Sequence, residues 1–248
     1  MLIKKPKKPL ASEKKPKKPF SIVELGPGNL PIDLIKAADK SLNTGKKHRV
    51  FTGIDEGFIN LSRAYEKARV KTNLRNLKLW HFSDALNIMA HAPPNSQHVI
   101  FASYLFNNLA HRARVKGKTT SAPPFNLLMF FIERALKSGG RFIMIQNRVA
   151  VESIQKNMIA LKSELRFSTT REISDEQMRN ANAECLKLRA TPQARAKLAN
   201  QILRETGKRH TEEELRPVII IFRKPKLPKK IIDGTEHIAK HFIDEYGL

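Results

Sequence analysis

The stretch Ile22-Val23-Glu24-Leu25-Gly26-Pro27-Gly28-Asn29 decides the fold class of this chain. Its apolar run with β-branched residues predicts a buried strand, and the glycines that follow predict a tight turn. A helix is predicted after the turn, with Pro31 in its first turn. Gly26 and Gly28 would let the backbone approach a ligand more closely than a Cβ allows, and Glu24 could accept hydrogen bonds from a cationic amine.

Short apolar runs alternate with segments of helical period along most of the chain, which is typical of βαβ units and a parallel sheet. The predicted strands span about 20–25, 49–54, 78–82, 98–104, 141–146, 165–170 and 218–222. The predicted helices span about 31–41, 58–71, 85–91, 105–115, 125–137 and 149–163. The fold class predicted from this pattern is α/β.

The two ends of the chain differ from its middle. Residues 1–19 contain the hexapeptide Lys-Lys-Pro-Lys-Lys-Pro twice, at 4–9 and 14–19, and this predicts a disordered basic tail. The folded domain is predicted over 20–223, with a polar helical insertion over 174–216 before the last strand. Residues 224–248 predict a basic linker and an amphipathic C-terminal helix.

The charge of the chain predicts a polyanionic partner. The 46 Lys and Arg against 23 Asp and Glu give a net charge of +23, and lysine clusters neutralise phosphates. The expected partners are RNA, a ribosomal particle, DNA or a nucleic-acid-bound protein. No apolar run predicts a membrane span or a secretory signal. The single Cys185 fits a reducing interior, so the expected location is the cytoplasm, or the nucleus in a eukaryotic cell.

Acidic residues stand at the ends of the second and third predicted strands. Asp55 closes the second strand, where a ribose diol would lie, and Asp84 follows the third, where it could accept from an adenine amine. A dinucleotide fingerprint would need glycine at position 31, which is Pro31, and no Gly-Lys pair lies in a P-loop frame. The eight histidines form no metal set with Cys185 or carboxylates, so no metal is expected.

These motifs together resemble the class I S-adenosylmethionine-dependent methyltransferases over most of 20–223. The similar stretches are 23–28 (first motif), 51–55 (ribose-binding strand), 83–85 (adenine-side acid), 100–108 (fourth strand and active-site loop) and 133–142 (helix, Gly turn and fifth strand). The resemblance implies a doubly wound, mostly parallel seven-stranded sheet with an antiparallel last strand beside the fifth. It also implies S-adenosylmethionine as cofactor, lined by Glu24, Gly26, Gly28, Asp55, Asp84, Ala85 and Ser103. The family's usual third glycine falls at Leu30, which is a departure from the first motif.

The expected function is therefore methyl transfer to a nucleic acid or a nucleic-acid-associated substrate, RNA foremost. The fourth strand lacks the Asn/Asp-Pro-Pro-Phe/Tyr of base-amino methyltransferases, and no Pro-Cys nucleophile is present. The residues proposed to contact the methyl acceptor are Tyr104, Asn107, Asn108 and His111. Two alternatives stay open: a nucleic-acid-binding protein that keeps the fold without catalysis, as Leu30 would allow, and an enzyme with a protein or small-molecule acceptor.

Overall fold

The computed structural model of the chain describes residues 20–25, 49–55, 77–82, 85–104, 124–180, 184–226 and 229–246. Its strands are β1 (Phe20–Leu25), β2 (Arg49–Asp55), β3 (Leu77–Phe82), β4 (Gln97–Ser103), β5 (Leu136–Asn147), β6 (Arg166–Glu172) and β7 (Pro217–Arg223). Its helices are α1 (Ala85–His91), α2 (Pro124–Ala135), α3 (Ala150–Ala160), α4 (Asp175–Asn180), α5 (Glu184–Lys187), α6 (Pro192–Thr206) and α7 (Lys229–Tyr246). The predicted α/β class is confirmed. The basic tail over 1–19 and the helices predicted over 31–41, 58–71 and 105–115 lie outside the described residues.

The strands form one sheet in the order β3-β2-β1-β4-β5-β7-β6. Strand β7 runs antiparallel to both of its neighbours, and the other neighbouring pairs are parallel. The chain passes from β1 to β2 on one side and later returns to β4 on the other side of β1. The order of winding therefore reverses between β1 and β4, which makes the carboxyl ends of these strands a topological switch point.

Central strands β4 and β5 form the core with helix α2. The two strands are buried on both faces, as parallel strands covered by helices usually are. An apolar stripe of α2 lies in the core together with the residue that follows the helix, because these residues are at most 5% exposed: Leu127, Leu128, Phe131, Ile132 and Leu136.

Strand β5 begins earlier than predicted, at Leu136, and the predicted Gly turn lies within its bounds. The pairing of β5 with β4 shifts register between Gln97 and Val99. Gly139 there has φ 75°, and a Cβ on Gly140 would lie 2.7 Å from the carbonyl oxygen of Lys137. Only glycine fits both positions without strain, so the turn explains why the pairing is irregular.

Helices α4, α5 and α6 lie between β6 and β7. Helix α6 begins at a sequence-encoded cap: the side chain of Thr191 accepts a hydrogen bond from the Ala194 backbone at 3.1 Å, and Pro192 occupies the first turn. It ends at Gly207, which has φ 71° and donates its backbone N–H to Leu203. Local sequence therefore sets both ends of the longest helix in this part of the chain.

Helix α7 docks on α2. Phe242 and Ile243 pack against the core, with the Phe242 ring 5.3 Å from that of Phe130, whereas Ile238 is 45% exposed. The guanidinium of Arg134 donates two hydrogen bonds of 2.8 Å to the carboxylate of Glu236. Across the described ranges, no helix is both long and apolar enough to cross a membrane.

Candidate active site at the carboxyl edge of the sheet

Four of the predicted site residues lie at the same edge of the sheet. Asp55 ends β2, Ser103 ends β4, Ala85 begins the helix after β3, and Glu24 is the second-last residue of β1. The register places Leu25 of β1 opposite Ile54 on one side and Ala102 on the other. Parallel strands bring their carboxyl ends together, so these positions surround the switch point described above.

Glu24 is the charged residue most deeply placed in this edge. Its side chain is 0% exposed, and its backbone lies between Gly53 of β2 and Phe101 of β4. Removing a carboxylate from water is costly unless an oppositely charged or hydrogen-bonding group faces it. A cationic ligand group is one kind of group that can donate hydrogen bonds to a carboxylate at this position.

Two further polar side-chain atoms are buried at the ends of the adjacent strands β4 and β5. Among the described residues, neither the hydroxyl of Ser103 nor Nε2 of Gln146, which is 2% exposed, has a hydrogen-bond partner. Buried polar atoms are nearly always hydrogen-bonded, so such atoms mark a place where the polar groups of a ligand fit. Gln146 was missed from the sequence, although the polar pair Gln146-Asn147 closing an apolar strand was a readable signal.

Tyr104 follows Ser103 in an unusual backbone conformation. Its φ is 53°, a left-handed value that bulky residues rarely adopt, and its side chain is buried. The Tyr104 backbone N–H donates to the carbonyl of Ile145 at 3.1 Å, and its hydroxyl donates to Oδ1 of Asn147 at 3.2 Å. The guanidinium carbon of Arg189 lies 4.7 Å from the centre of its ring.

An ion-pair network ties parts of the insertion to one another. Arg195, which is 3% exposed, donates to Oδ1 of Asp175 at 3.1 Å and to the carbonyl of Arg189 at 2.9 Å, and Arg216 donates to the same Asp175 oxygen at 3.3 Å. Desolvation acts to raise the pKa of Asp175, but the hydrogen bonds and charges of Arg195 and Arg216 outweigh it and lower the pKa. Asp175 is thus held in its charged form between two arginines.

A second group of ion pairs links the insertion to the ends of β5 and β6. Arg148, just after β5, bonds to Glu172 at the end of β6 and to Glu213 at 3.0 Å, before β7. Both networks lie at the carboxyl ends of parallel strands. The insertion therefore adjoins the candidate site.

The remaining predicted site residues lie outside the described part of the chain. They are Gly26, Gly28, Asp84, Asn107, Asn108 and His111, and so is the departure at Leu30. Asp55 is placed by its backbone, and the described residues bring it to one edge with Glu24, Ala85 and Ser103. In the described ranges, no group of three or more His, Cys, Asp or Glu could hold a metal ion.

No protein-family model and no curated protein matches the chain. Solved structures do match in fold. An antibiotic-related methyltransferase is 15% identical, over 82% of this chain and 88% of that one, with a TM-score of 0.50. The N-methyltransferase NodS from Bradyrhizobium japonicum, in complex with S-adenosyl-L-homocysteine, is 12% identical over 84% and 79%, with a TM-score of 0.45. A methyltransferase from Aquifex aeolicus is 13% identical over 83% and 82%, with a TM-score of 0.46.

The chain has the Rossmann-like fold of the class I S-adenosylmethionine-dependent methyltransferases, which confirms the resemblance carried by its motifs. The order of its strands and the antiparallel β7 agree with this class. At such low identity the likeness defines the fold, and the reaction has to be argued from the site itself.

Proposed function

We propose that the chain is an S-adenosylmethionine-dependent methyltransferase that acts on a nucleic acid or a nucleic-acid-associated substrate, RNA foremost. One observation carries the proposal. The carboxyl edge of the sheet gathers a fully buried Glu24, the strand-end Asp55 and the buried hydroxyl of Ser103 around the switch point between β1 and β4. Nucleotide-like ligands bind at such a point in doubly wound sheets.

The described residues fit this cofactor. Ser103 presents a buried hydroxyl without a partner in the described part of the chain, and Glu24 places a buried acid beside the switch point. We assign Glu24 to the cofactor's amine, Asp55 to its ribose and Asp84 to its adenine, with Gly26, Gly28, Ala85 and Ser103 beside them. When bound, S-adenosylmethionine supplies a methyl group that its sulfonium already activates, so the chain mainly has to orient the acceptor and exclude water.

In our proposal, the insertion excludes water from the site. The ion pair between Glu213 and Arg148 holds it at the end of β5, and Arg189 covers the ring of Tyr104 there. Tyr104 is the described member of the four residues proposed to contact the acceptor, and its hydroxyl already bonds to Asn147. We therefore expect Tyr104 to shape the acceptor pocket, and Asn107, Asn108 or His111 to reach the acceptor itself.

Calorimetric titration of the purified protein with S-adenosylmethionine and S-adenosylhomocysteine tests the cofactor. We expect both to bind at a single site. If a folded sample binds neither, the proposal fails, and the noncatalytic nucleic-acid-binding protein becomes the better account. If the cofactor binds, the protein is then incubated with a labelled methyl donor and either total RNA or a protein pool. RNA should be the labelled fraction.

The acceptor class rests on charge. The net charge of +23 and the two lysine-proline hexapeptides fit a substrate rich in phosphate. If the basic tail makes about six phosphate contacts, RNA affinity should fall roughly 10³-fold between about 50 and 200 mM salt. Deletion of residues 1–19 should flatten this dependence and reduce RNA methylation at physiological salt. An unchanged activity after the deletion would favour a protein or small-molecule acceptor.

A further inference from the structure

The left-handed backbone of Tyr104 has to be held by its surroundings, because this conformation is strained for a bulky residue. Three contacts from two parts of the chain hold it. Its N–H donates to Ile145 and its hydroxyl to Asn147, both near the end of β5, and its ring lies under Arg189 of the insertion. Strain of this kind is concentrated at functional sites, and here it directly follows the buried Ser103.

Two hydrogen bonds hold the backbone of Arg189 in place. Its backbone N–H donates to the carbonyl of Leu186 at 3.0 Å, and its own carbonyl accepts from the buried guanidinium of Arg195 at 2.9 Å. Arg195 in turn bonds to Asp175 at the start of α4. An unbroken series of contacts therefore leads from the beginning of the insertion to the ring of Tyr104.

We propose that Arg189 is a positioning residue that fixes Tyr104 and thereby couples the insertion to the acceptor side of the site. Asn107 and Asn108 follow Tyr104 within four positions in the sequence. Tyr104 is therefore the described residue that directly precedes the segment with these proposed acceptor contacts. The part of the inference that concerns the acceptor rests on the proposed function, whereas the part that concerns Tyr104 stands without it.

Hydrogen exchange tests the positioning role in the full-length protein. Arg189→Met keeps an unbranched side chain but removes the charged guanidinium, and Arg189→Lys keeps the charge. The control is Arg204→Met, an exposed arginine of α6 that bonds to Asn200 within its own helix. We expect Arg189→Met to speed exchange of the Tyr104 amide roughly 5- to 30-fold, the range of a partly desolvated cation–π contact. Arg189→Lys should restore part of the protection, and Arg204→Met should change nothing.

The same variants test the coupling to the acceptor side. With total RNA and a labelled methyl donor as probe, Arg189→Met should lower kcat by a similar factor, with the dissociation constant for S-adenosylmethionine unchanged by calorimetry. Unchanged exchange at Tyr104 in a folded Arg189→Met protein would overturn the inference. Faster exchange with unchanged kcat would overturn its acceptor part. A wild type that binds no cofactor, or methylates no RNA, defeats the proposed function, and the exchange data then decide the role of Arg189 alone.

Discussion

Lys224 at the amino edge of the sheet and Ser103 at the carboxyl edge both place a polar group among buried residues, but their hydrogen bonding differs. The ammonium of Lys224 donates to the carbonyls of Glu133 and Leu136 at 2.8 Å each and to Oδ1 of Asn95 at 3.3 Å. An ammonium has three donors, and all three are used. The Ser103 hydroxyl has no partner in the described part of the chain.

The difference separates a structural polar group from one available to a ligand. Helix α2 ends at Ala135, and its last carbonyls lack partners within the helix, so Lys224 and the backbones of Asn95 and Ser96 satisfy them. Burial lowers the pKa of Lys224, although the charges of Glu133 and Glu164 oppose this shift. One buried acceptor at this edge, Oε2 of Glu164, does lack a partner among the described residues. The other polar groups named at the amino edge are hydrogen-bonded to one another. At the carboxyl edge, by contrast, Ser103 and Gln146 present polar atoms without partners among the described residues.

The largest effect should come from removing the structural group. Lys224→Met leaves the carbonyls of Glu133 and Leu136 and the side-chain oxygen of Asn95 without this donor. Each unsatisfied buried group costs about 1–3 kcal/mol. We expect a loss of about 4 kcal/mol in the free energy of unfolding by urea. The exposed Lys226→Met serves as control and should cost almost nothing. Cofactor affinity should be unchanged in both, and a stability loss below about 1 kcal/mol would show that the lysine is replaceable.

Asp55→Ala should have the next largest effect, on binding and not on stability. Hydrogen bonds to a carboxylate contribute about 1.5–3 kcal/mol each, so loss of the two expected from a ribose diol should weaken S-adenosylmethionine binding by about 100-fold or more. Asp244→Ala, at an exposed position of α7, is the matched control. Equal affinities of the two variants in calorimetry would remove Asp55 from the site.

Ser103→Ala should change stability and binding in opposite directions. A buried hydroxyl without a partner costs free energy in the ligand-free protein, so its removal should raise the free energy of unfolding by up to about 1 kcal/mol. Cofactor affinity should fall about 5-fold, because the ligand loses one neutral hydrogen bond. The exposed Ser138→Ala should alter neither quantity. If Ser103→Ala destabilises the free protein, the hydroxyl has a structural role and the contrast with Lys224 disappears.

The smallest effects should be two dependences of the free energy of unfolding on pH, which have opposite signs. Burial raises the pKa of Glu133, although hydrogen bonds from Ser163 and Glu164 oppose this shift. The contribution of Glu133 to stability is therefore present below the unfolded-state pKa of about 4.3 and is lost as pH rises through the folded-state pKa. The pKa of Asp175 is lowered, so its contribution is present above about 3.9 and lost as pH falls through the folded value.

Urea unfolding between about pH 3 and 7 measures these slopes. Glu133→Gln should remove a decrease of stability with rising pH, and Asp175→Asn should remove an increase. The difference between wild type and variant reports the contribution of each carboxyl. The same sign of change in both variants would contradict the two shifts.

Residues at strand ends could be predicted from the sequence because strand periodicity is local. Glu24, Asp55 and Ala85 each adjoin an apolar run whose end is visible in the sequence, and the parallel arrangement alone brings these ends to one edge. Residues that act through long-range contacts could not be predicted. Arg189 and Tyr104 are far apart in the sequence, and no spacing rule connects them. Gln146 lies between these cases, because its polarity was visible but its burial was not.

The amino-acid sequence by itself determined the α/β class, the strands, the caps of α6, the acids of the carboxyl edge and the basic character of the protein. These follow from side-chain period, turn chemistry and charge, which act over a few residues or over the whole composition. Only the tertiary structure decided that Lys224 closes the end of α2, that Ser103 and Gln146 are buried without partners among the described residues, and that Arg189 covers Tyr104. Burial and long-range contacts depend on which elements pack together, and packing is a property of the folded chain.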